Sequence, residues 1–436
     1  MPFYSLSLRK QVRFWKKGRV ALLALLTLSC LSILLSHIPA FSNQPVTLTF
    51  LAGALDTQTW KPIIQQFEAQ NPDIRIKAIE GPNASNTVED LYTTAFLLGD
   101  SPYDLAYLDL PWISKFAAAG WLSDLSRYIS DADLAEFVPA DVVGGRYQNQ
   151  IYRIPALSGA GMLYYRKDLL NQAGLSPPET FTDLINTAQT LQKQGRIHWG
   201  YVWQGKQYEG LAAMFVEVLA GHGGFWVNPE TREVGLDQPP AIAAIEFLRQ
   251  TVQQGISPPG VTTYQEEESR RLFQNGEAAF LRNWPYVWTL ANAKDSPIQG
   301  KIGLKPMVHS PGLSSASCMG SWGWGIAKTT RYPDQAWRAI QFFTSADALR
   351  QIALDTGLLP SRRSLFQDPQ IVAKYSFFPD MLKVLEKGTL RPPIAQYAQA
   401  SDILQRYLSA ALTGRLTPSK AMQLAADETR LLLGTP

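Results

Sequence analysis

Carboxylates are the most numerous groups in this chain that could do chemistry: Asp56, Glu89, Asp109, Glu209, Glu217 and the run Glu266–Glu268. Two of them at about 5 Å, or at about 6.5–9.5 Å, would suit glycoside hydrolysis. The same groups, with no reaction at all, accept hydrogen bonds from sugar hydroxyls. Glu266–Glu268 reads as a helix start, where negative charge meets the positive end of the macrodipole. Gly200 to Lys206 has the spacing of a phosphate loop. However, Gln207 stands where a metal-binding Ser or Thr belongs, and Tyr201-Val202-Trp203 is too bulky to wrap phosphate. Neither GxGxxG nor GxSxG occurs, so no nucleotide cofactor and no esterase nucleophile are expected. His37, His198, His222 and His309 lie far apart, and Cys30 and Cys318 form no CxxC, so no metal site and no disulfide framework are expected.

Aromatic residues carry the second signal. The chain has 12 Trp, 17 Tyr and 19 Phe in 436 residues. Asn283-Trp284-Pro285-Tyr286 with Trp288, and Ser321-Trp322-Gly323-Trp324, cluster rings in segments that Pro285 and the glycines mark as loops. A sugar ring has an apolar face and a rim of hydroxyls, so flat aromatic faces beside a few Asp, Asn or Arg groups suit it. Any single one of these rings could equally be core.

The elements that must position these groups read as an open α/β sheet. Val46, Leu48 and Phe50 alternate as a half-buried strand, and Trp60, Ile63, Ile64 and Phe67 share one helical face. Asn71-Pro72-Asp73 stops that helix, and Ile74, Ile76 and Ile79 begin a second strand. A third strand over Tyr103–Leu108 ends at Asp109, Pro111 and Trp112. Open sheets bind ligands beyond the carboxyl ends of their strands, which points to Gly53–Thr57 and Asp109–Trp112. Helices are predicted over 167–173, 181–194 and 241–254, with Thr180 and Asp183 as a capping box. Thr417-Pro418 starts another.

Residues 1–42 read as an address. Six basic residues and no acidic one precede an uncharged, mostly apolar run from Val20 to Leu35, and Ala40-Phe41-Ser42 offers a signal-peptidase site. The run is short for a membrane span. An uncleaved anchor or lipidation at Cys30 are the alternatives. Those six basic residues also account for the formal charge of +3; beyond them acid exceeds base and no basic patch occurs. Nucleic acid is not an expected partner.

Several runs together resemble the extracellular solute-binding proteins (family 1) of carbohydrate ABC importers, near the trehalose/maltose-binding branch. They are Phe67-x4-Pro72-x-Ile74-x-Ile76, Tyr103-Asp104-Leu105 to Asp109, and Tyr152-x-Ile154-Pro155. Next come Leu163 to Leu170, Trp203 to Leu211, Phe273 to Gly276, Arg282 to Tyr286 and Gly357 to Pro360. The likeness runs from about residue 46 to the carboxyl end. It implies two α/β lobes, 43–158 plus about 326–375 and 159–325 plus about 376–436, joined by a hinge of crossing segments. It implies a monomeric, non-enzymatic protein, periplasmic or held on the outer face of the cytoplasmic membrane, that hands a disaccharide or related glycoside to permease subunits. Ligand contacts then fall at Asp56, Asp109, Ser321 and Arg391, with Trp284, Tyr286 and Trp322 as aromatic faces. One position departs from the close disaccharide-binding relatives, which carry an acid where this chain has Gly159. Losing that charge-assisted bond makes a compatible-solute glucoside such as glucosylglycerol a competing ligand. A secreted glycoside hydrolase and a sugar-sensing subunit are the rival functions.

Overall fold

The computed structural model describes residues 44–99 and 101–435. The leader, Cys30 and the cleavage point near Ser42 lie outside the described residues.

Strand β1 (Val46–Gly53) buries Leu48 and Phe50, as its alternation predicts. Helix α1 (Ala54–Gln70) follows directly and buries Trp60, Ile63, Ile64 and Phe67, the predicted face. Strand β2 (Ile74–Gly81) pairs with β1, and α2 (Ser85–Leu97) leads to β3 (Leu105–Asp109), buried throughout. A short hairpin, β4 (Arg146–Tyr147) and β5 (Gln150–Ile151), precedes β6 (Ile154–Ser158). With β11 (Trp322–Ile326) and β12 (Leu359–Pro360), β3 and β6 make an antiparallel sheet of order β12-β6-β11-β3. Asp104 ties β1 to this sheet: its carboxylate accepts from the Thr49 N–H at 3.0 Å, and its own N–H donates to the Thr49 carbonyl at 2.8 Å.

Strand β11 corrects the expectation of a loop at Ser321–Trp324. Its glycines permit close approach of backbone and do not break the strand. A Cβ at Gly323 would lie 2.3 Å from the Ile154 carbonyl oxygen, and one at Gly325 2.8 Å from that of Tyr152. Trp324 is a core ring, packed edge-on against Trp60 at 5.0 Å and against Phe50 at 4.9 Å.

The second sheet contains β7 (Met162–Arg166), β8 (Trp199–Val202), β9 (Ala278–Asn283) and β10 (Ile302–Lys305) in the order β10-β7-β9-β8. Only β8 and β9 run parallel. Helices 181–193 and 239–253, α3 (Glu209–Gly221), α4 (Glu266–Gln274), α5 (Tyr397–Leu412) and α6 (Pro418–Leu433) surround it. The expected capping box at Thr180 and the Thr417 cap with Pro418 in the first turn are both present. Inside this lobe Glu217 and Arg282, both fully buried, form a two-bond pair with Arg282 Nε at 2.7 Å.

Two α/β lobes with separate cores are thus joined by crossing strands. Gly320 N–H donates to Gly159 O at 2.9 Å and Gly161 N–H to Cys318 O at 3.1 Å. Met319 N–H donates to Thr389 O at 2.9 Å, and Thr389 N–H to Ser317 O at 2.8 Å. Segments 159–161, 317–320 and 389–391 therefore run side by side. The helix 378–385 before the last of them packs on the first lobe, with Phe378 against Phe366 at 5.8 Å. Among the described residues no helix is long and apolar enough to cross a membrane.

Trp60 meets Tyr107, Trp324 and Phe343 with no exposed surface. Trp60→Ala is expected to cost about 3–5 kcal/mol of stability, from lost burial and the cavity left behind. Denaturant unfolding, read as a lower midpoint at unchanged slope, checks this.

Candidate functional site

The antiparallel register of β3 and β11 sets Asp109 opposite Trp322 at one end of the first sheet. Leu110 N–H donates both to the Asp109 carboxylate at 2.8 Å and to the Ser321 carbonyl at 3.1 Å, which fixes the turn leaving β3. The Asp109 carboxylate faces Arg391, whose Nη2 reaches its two oxygens at 3.2 and 3.4 Å and the Met319 carbonyl at 3.3 Å. Nη1 of the same guanidinium donates to Glu209 Oε1 at 2.7 Å. Glu209 opens α3 and also accepts the hydroxyls of Tyr397 and Ser401, the latter at 2.6 Å.

Asp56 lies in the first turn of α1, just past the end of β1. It is half-buried and has no hydrogen-bond partner among the described residues. Desolvation, and then the charge of Asp109, push it up to about 7. The Asp109 carboxyl is also raised: desolvation outweighs the pull of Arg391, and Glu209 adds repulsion.

The aromatic residues approach from the other lobe and from β11. Trp284 follows β9 and is half-buried. The Arg282 guanidinium covers its ring at 4.1 Å, and its Nε1 donates to Glu266 Oε1 at 3.3 Å. The ring lies so close to Gly320 that a Cβ there would fall 2.7 Å from Cζ3. Trp322 stacks on Tyr107 at 5.1 Å and 21°, with Trp112 edge-on at 5.3 Å. Each indole therefore has two partners fixing its plane and keeps part of its surface open.

Residues 53–349 match the model of the bacterial extracellular solute-binding proteins. The chain belongs to that family. It is similar to the maltose-bound MalE3 protein of T. maritima, with 37% identity and a TM-score of 0.84 over 89% of this chain and 100% of that one. Among curated relatives, a probable ABC transporter-binding protein of Deinococcus radiodurans is 29% identical over 80% of this chain and 84% of its own. A maltotriose-binding protein of Pyrococcus abyssi is 25% identical over 72% of this chain and 66% of its own.

A solute-binding protein captures its ligand without turning it over, so the hydrolase reading of the carboxylates falls away. What the site needs is acceptors and flat faces held in place. Four of the residues expected from the sequence, Asp56, Asp109, Trp322 and Arg391, gather beside the crossing strands. Trp284 reaches the same place through Gly320. Tyr286 stands beside Trp284, half-buried, with its hydroxyl donated to Glu267 at 2.8 Å; among the described residues no hydrogen bond joins it to the Asp109 cluster.

Ser321 requires a correction. It is fully buried, and its hydroxyl accepts from Arg153 beneath the sheet. Its carbonyl holds the β3 turn, so it supports Asp109 and offers no side chain to the cleft. Sequence reasoning also treated Asp109 and Arg391 as separate contacts, whereas they neutralise each other. Glu209 was visible only as one carboxylate among many. Its position inside the Trp203–Leu211 run, at the start of a helix, was the available signal. Tyr397 and Ser401 carried none.

Asp56 makes a pH test possible. Its folded-state value of about 7 lies above the ordinary 3.8, so the folded protein holds the proton more tightly and loses stability as pH rises between the two values. Asp56→Asn is therefore expected to raise the melting temperature at pH 8 and progressively less toward pH 4. A uniform change across that range would contradict the burial of this carboxyl.

Proposed function

We propose that this protein captures a disaccharide or related glycoside between its lobes and presents it to the permease subunits of an ABC importer. The observation that carries this reading is the placing of carboxylates and partly open indoles from both lobes at the crossing strands of a solute-binding fold. The likeness to a maltose-bound neighbour at 37% identity supports a sugar as the ligand. Asp56 and Asp109 accept from sugar hydroxyls, Arg391 donates, and Trp284, Tyr286 and Trp322 supply apolar faces for the sugar rings. The lobes comprise 43–158 with the stretch from about 326, and 159–325 with the carboxyl-terminal helices. The packing of helix 378–385 supports a last crossing at 389–391 in place of one near 376. Membership of an extracellular family implies export. The basic and apolar leader supports a periplasmic protein or one held on the outer face of the cytoplasmic membrane, and we read it as acting as a monomer.

Closure is favoured only by contacts that the ligand gains in the closed form. Gly159 bears on which ligand that is. A Cβ there would lie 2.8 Å from the Gly320 carbonyl oxygen, so the site has no room for an acid at this position without moving the hinge. That absence favours a ligand with one fewer hydroxyl to satisfy, and a glucoside such as glucosylglycerol is the second reading.

Thermal-shift and calorimetric titration with maltose, trehalose and glucosylglycerol test both readings, since a ligand at 100 times its dissociation constant stabilises by about 2.7 kcal/mol. Asp109→Ala is expected to weaken binding of the sugar so found by about 1.5–3 kcal/mol, the range for hydrogen bonds to charged groups. Trp284→Ala should lose most ligand-induced stabilisation while lowering the unliganded melting temperature less than Trp60→Ala does. Normal binding by the folded Trp284→Ala protein would remove the aromatic argument for a sugar.

A further inference from the structure

The chain Asp109–Arg391–Glu209 crosses from one lobe to the other. Asp109 ends a strand of the first sheet, Glu209 begins a helix built into the second core, and Arg391 stands on the last crossing segment. All three side chains are nearly buried, at 7%, 9% and 2% exposure for Asp109, Glu209 and Arg391. Glu209 is anchored in its own lobe by two hydroxyls from α5, Tyr397 and Ser401. Arg391 is anchored to the hinge itself through the Met319 carbonyl.

We propose that Glu209 is a positioning residue that latches the lobes together in the absence of ligand, acting on Asp109 through Arg391. The physical reason is the cost of leaving a charge unpaired. If the lobes part far enough to separate Asp109 from Arg391, a nearly buried guanidinium loses one of its two counter-charges and a carboxylate loses the cation it is bonded to. Glu209 holds the guanidinium at the height where Asp109 can meet it. Without Glu209, only the Met319 carbonyl still holds the guanidinium, which can then follow Asp109 or turn toward water, so lobe separation need no longer break the pair. The latch thus sets how much of the free protein already has the arrangement that binds, and apparent affinity falls in proportion to that fraction. The affinity arm of the test rests on the sugar-binding reading above; the conformational arm does not.

The test compares wild type, Glu209→Gln, Tyr397→Phe and, as a control, Glu428→Gln, which disturbs a pair with Arg406 and a hydrogen bond from Tyr407, both away from the Asp109–Arg391–Glu209 chain. Small-angle X-ray scattering gives the radius of gyration without ligand and with saturating maltose, and calorimetry gives maltose affinity. Glu209→Gln is expected to enlarge the unliganded radius and to weaken maltose by about tenfold, with the saturated radius unchanged. Tyr397→Phe should shift both in the same direction by less, and Glu428→Gln should shift neither. Tyr397→Phe removes one hydroxyl, so it keeps the test decisive if Glu209→Gln does not fold. Unliganded scattering identical to wild type in the folded variants overturns the latch. Absence of maltose binding by wild type would count against the sugar assignment and leave the scattering comparison standing.

Discussion

A guanidinium with almost no exposed surface has to be neutralised where it stands, and Arg391 takes its two carboxylates from opposite lobes. Taking such a group out of water costs several kcal/mol, which only well-placed partners offset. This constraint explains why Glu209 opens a helix, where exposed backbone N–H groups favour a negative charge. It also explains the hydroxyls of Tyr397 and Ser401 around the same carboxylate. Asp56, nearby, has no such arrangement, and its proton is held to near neutral pH. The cleft therefore contains two carboxylates, Asp109 and Glu209, already bonded to the protein and a third, Asp56, with no donor among the described residues. A polyhydroxyl ligand supplies donors without adding charge, which fits that imbalance.

Glycine plays a matching part on the backbone side. Gly161 leaves room for the Glu217 carboxylate, whose Oε1 would lie 1.5 Å from an added Cβ, and Gly320 leaves room for the Trp284 ring. Behind Trp284, the Arg282–Glu217 pair locks the guanidinium on which the indole rests. The Cys318 N–H donates to the same Glu217 at 3.1 Å, so this support is tied to a crossing strand. The aromatic wall and the hinge are consequently one mechanical unit: a change in the strand at 318–320 is transmitted to both Glu217 and Trp284.

Local patterns exposed most of the frame to sequence reading. The helical face of Trp60, Ile63, Ile64 and Phe67, the capping box at Thr180 and the strand ending at Asp109 each depend on neighbours within a few residues. Trp322 and Trp324 misled because glycine has two uses. It breaks regular structure in a turn, but in β11 it admits a neighbouring backbone, and only the facing strand β6 distinguishes the two. The ionic chain was hidden for a different reason. Arg391 lies 282 positions from Asp109 and 182 from Glu209, so no spacing rule reaches it. Ser321 shows the limit of carrying over a site by resemblance, since a matched position can contribute its carbonyl and turn its side chain inward.

The same geometry explains why so many carboxylates need not mean catalysis. General acid–base work on a glycoside requires two carboxyls free to exchange protons across the scissile bond. Glu217 is locked by Arg282, Glu209 by Arg391 and two hydroxyls, and Asp109 by Arg391 and the Leu110 N–H. Glu267 is held by Arg270 and the Tyr286 hydroxyl. Each is fixed as an acceptor by partners that would have to be displaced before it could take or give a proton. Asp56 and Glu89 are both pushed up to about 7, but Glu89 is paired with Lys115 at 3.0 Å, and Asp56 by itself cannot serve as both acid and base on opposite sides of a bond. A cleft of fixed acceptors with one unsatisfied member is organised to hold a ligand and release it unchanged.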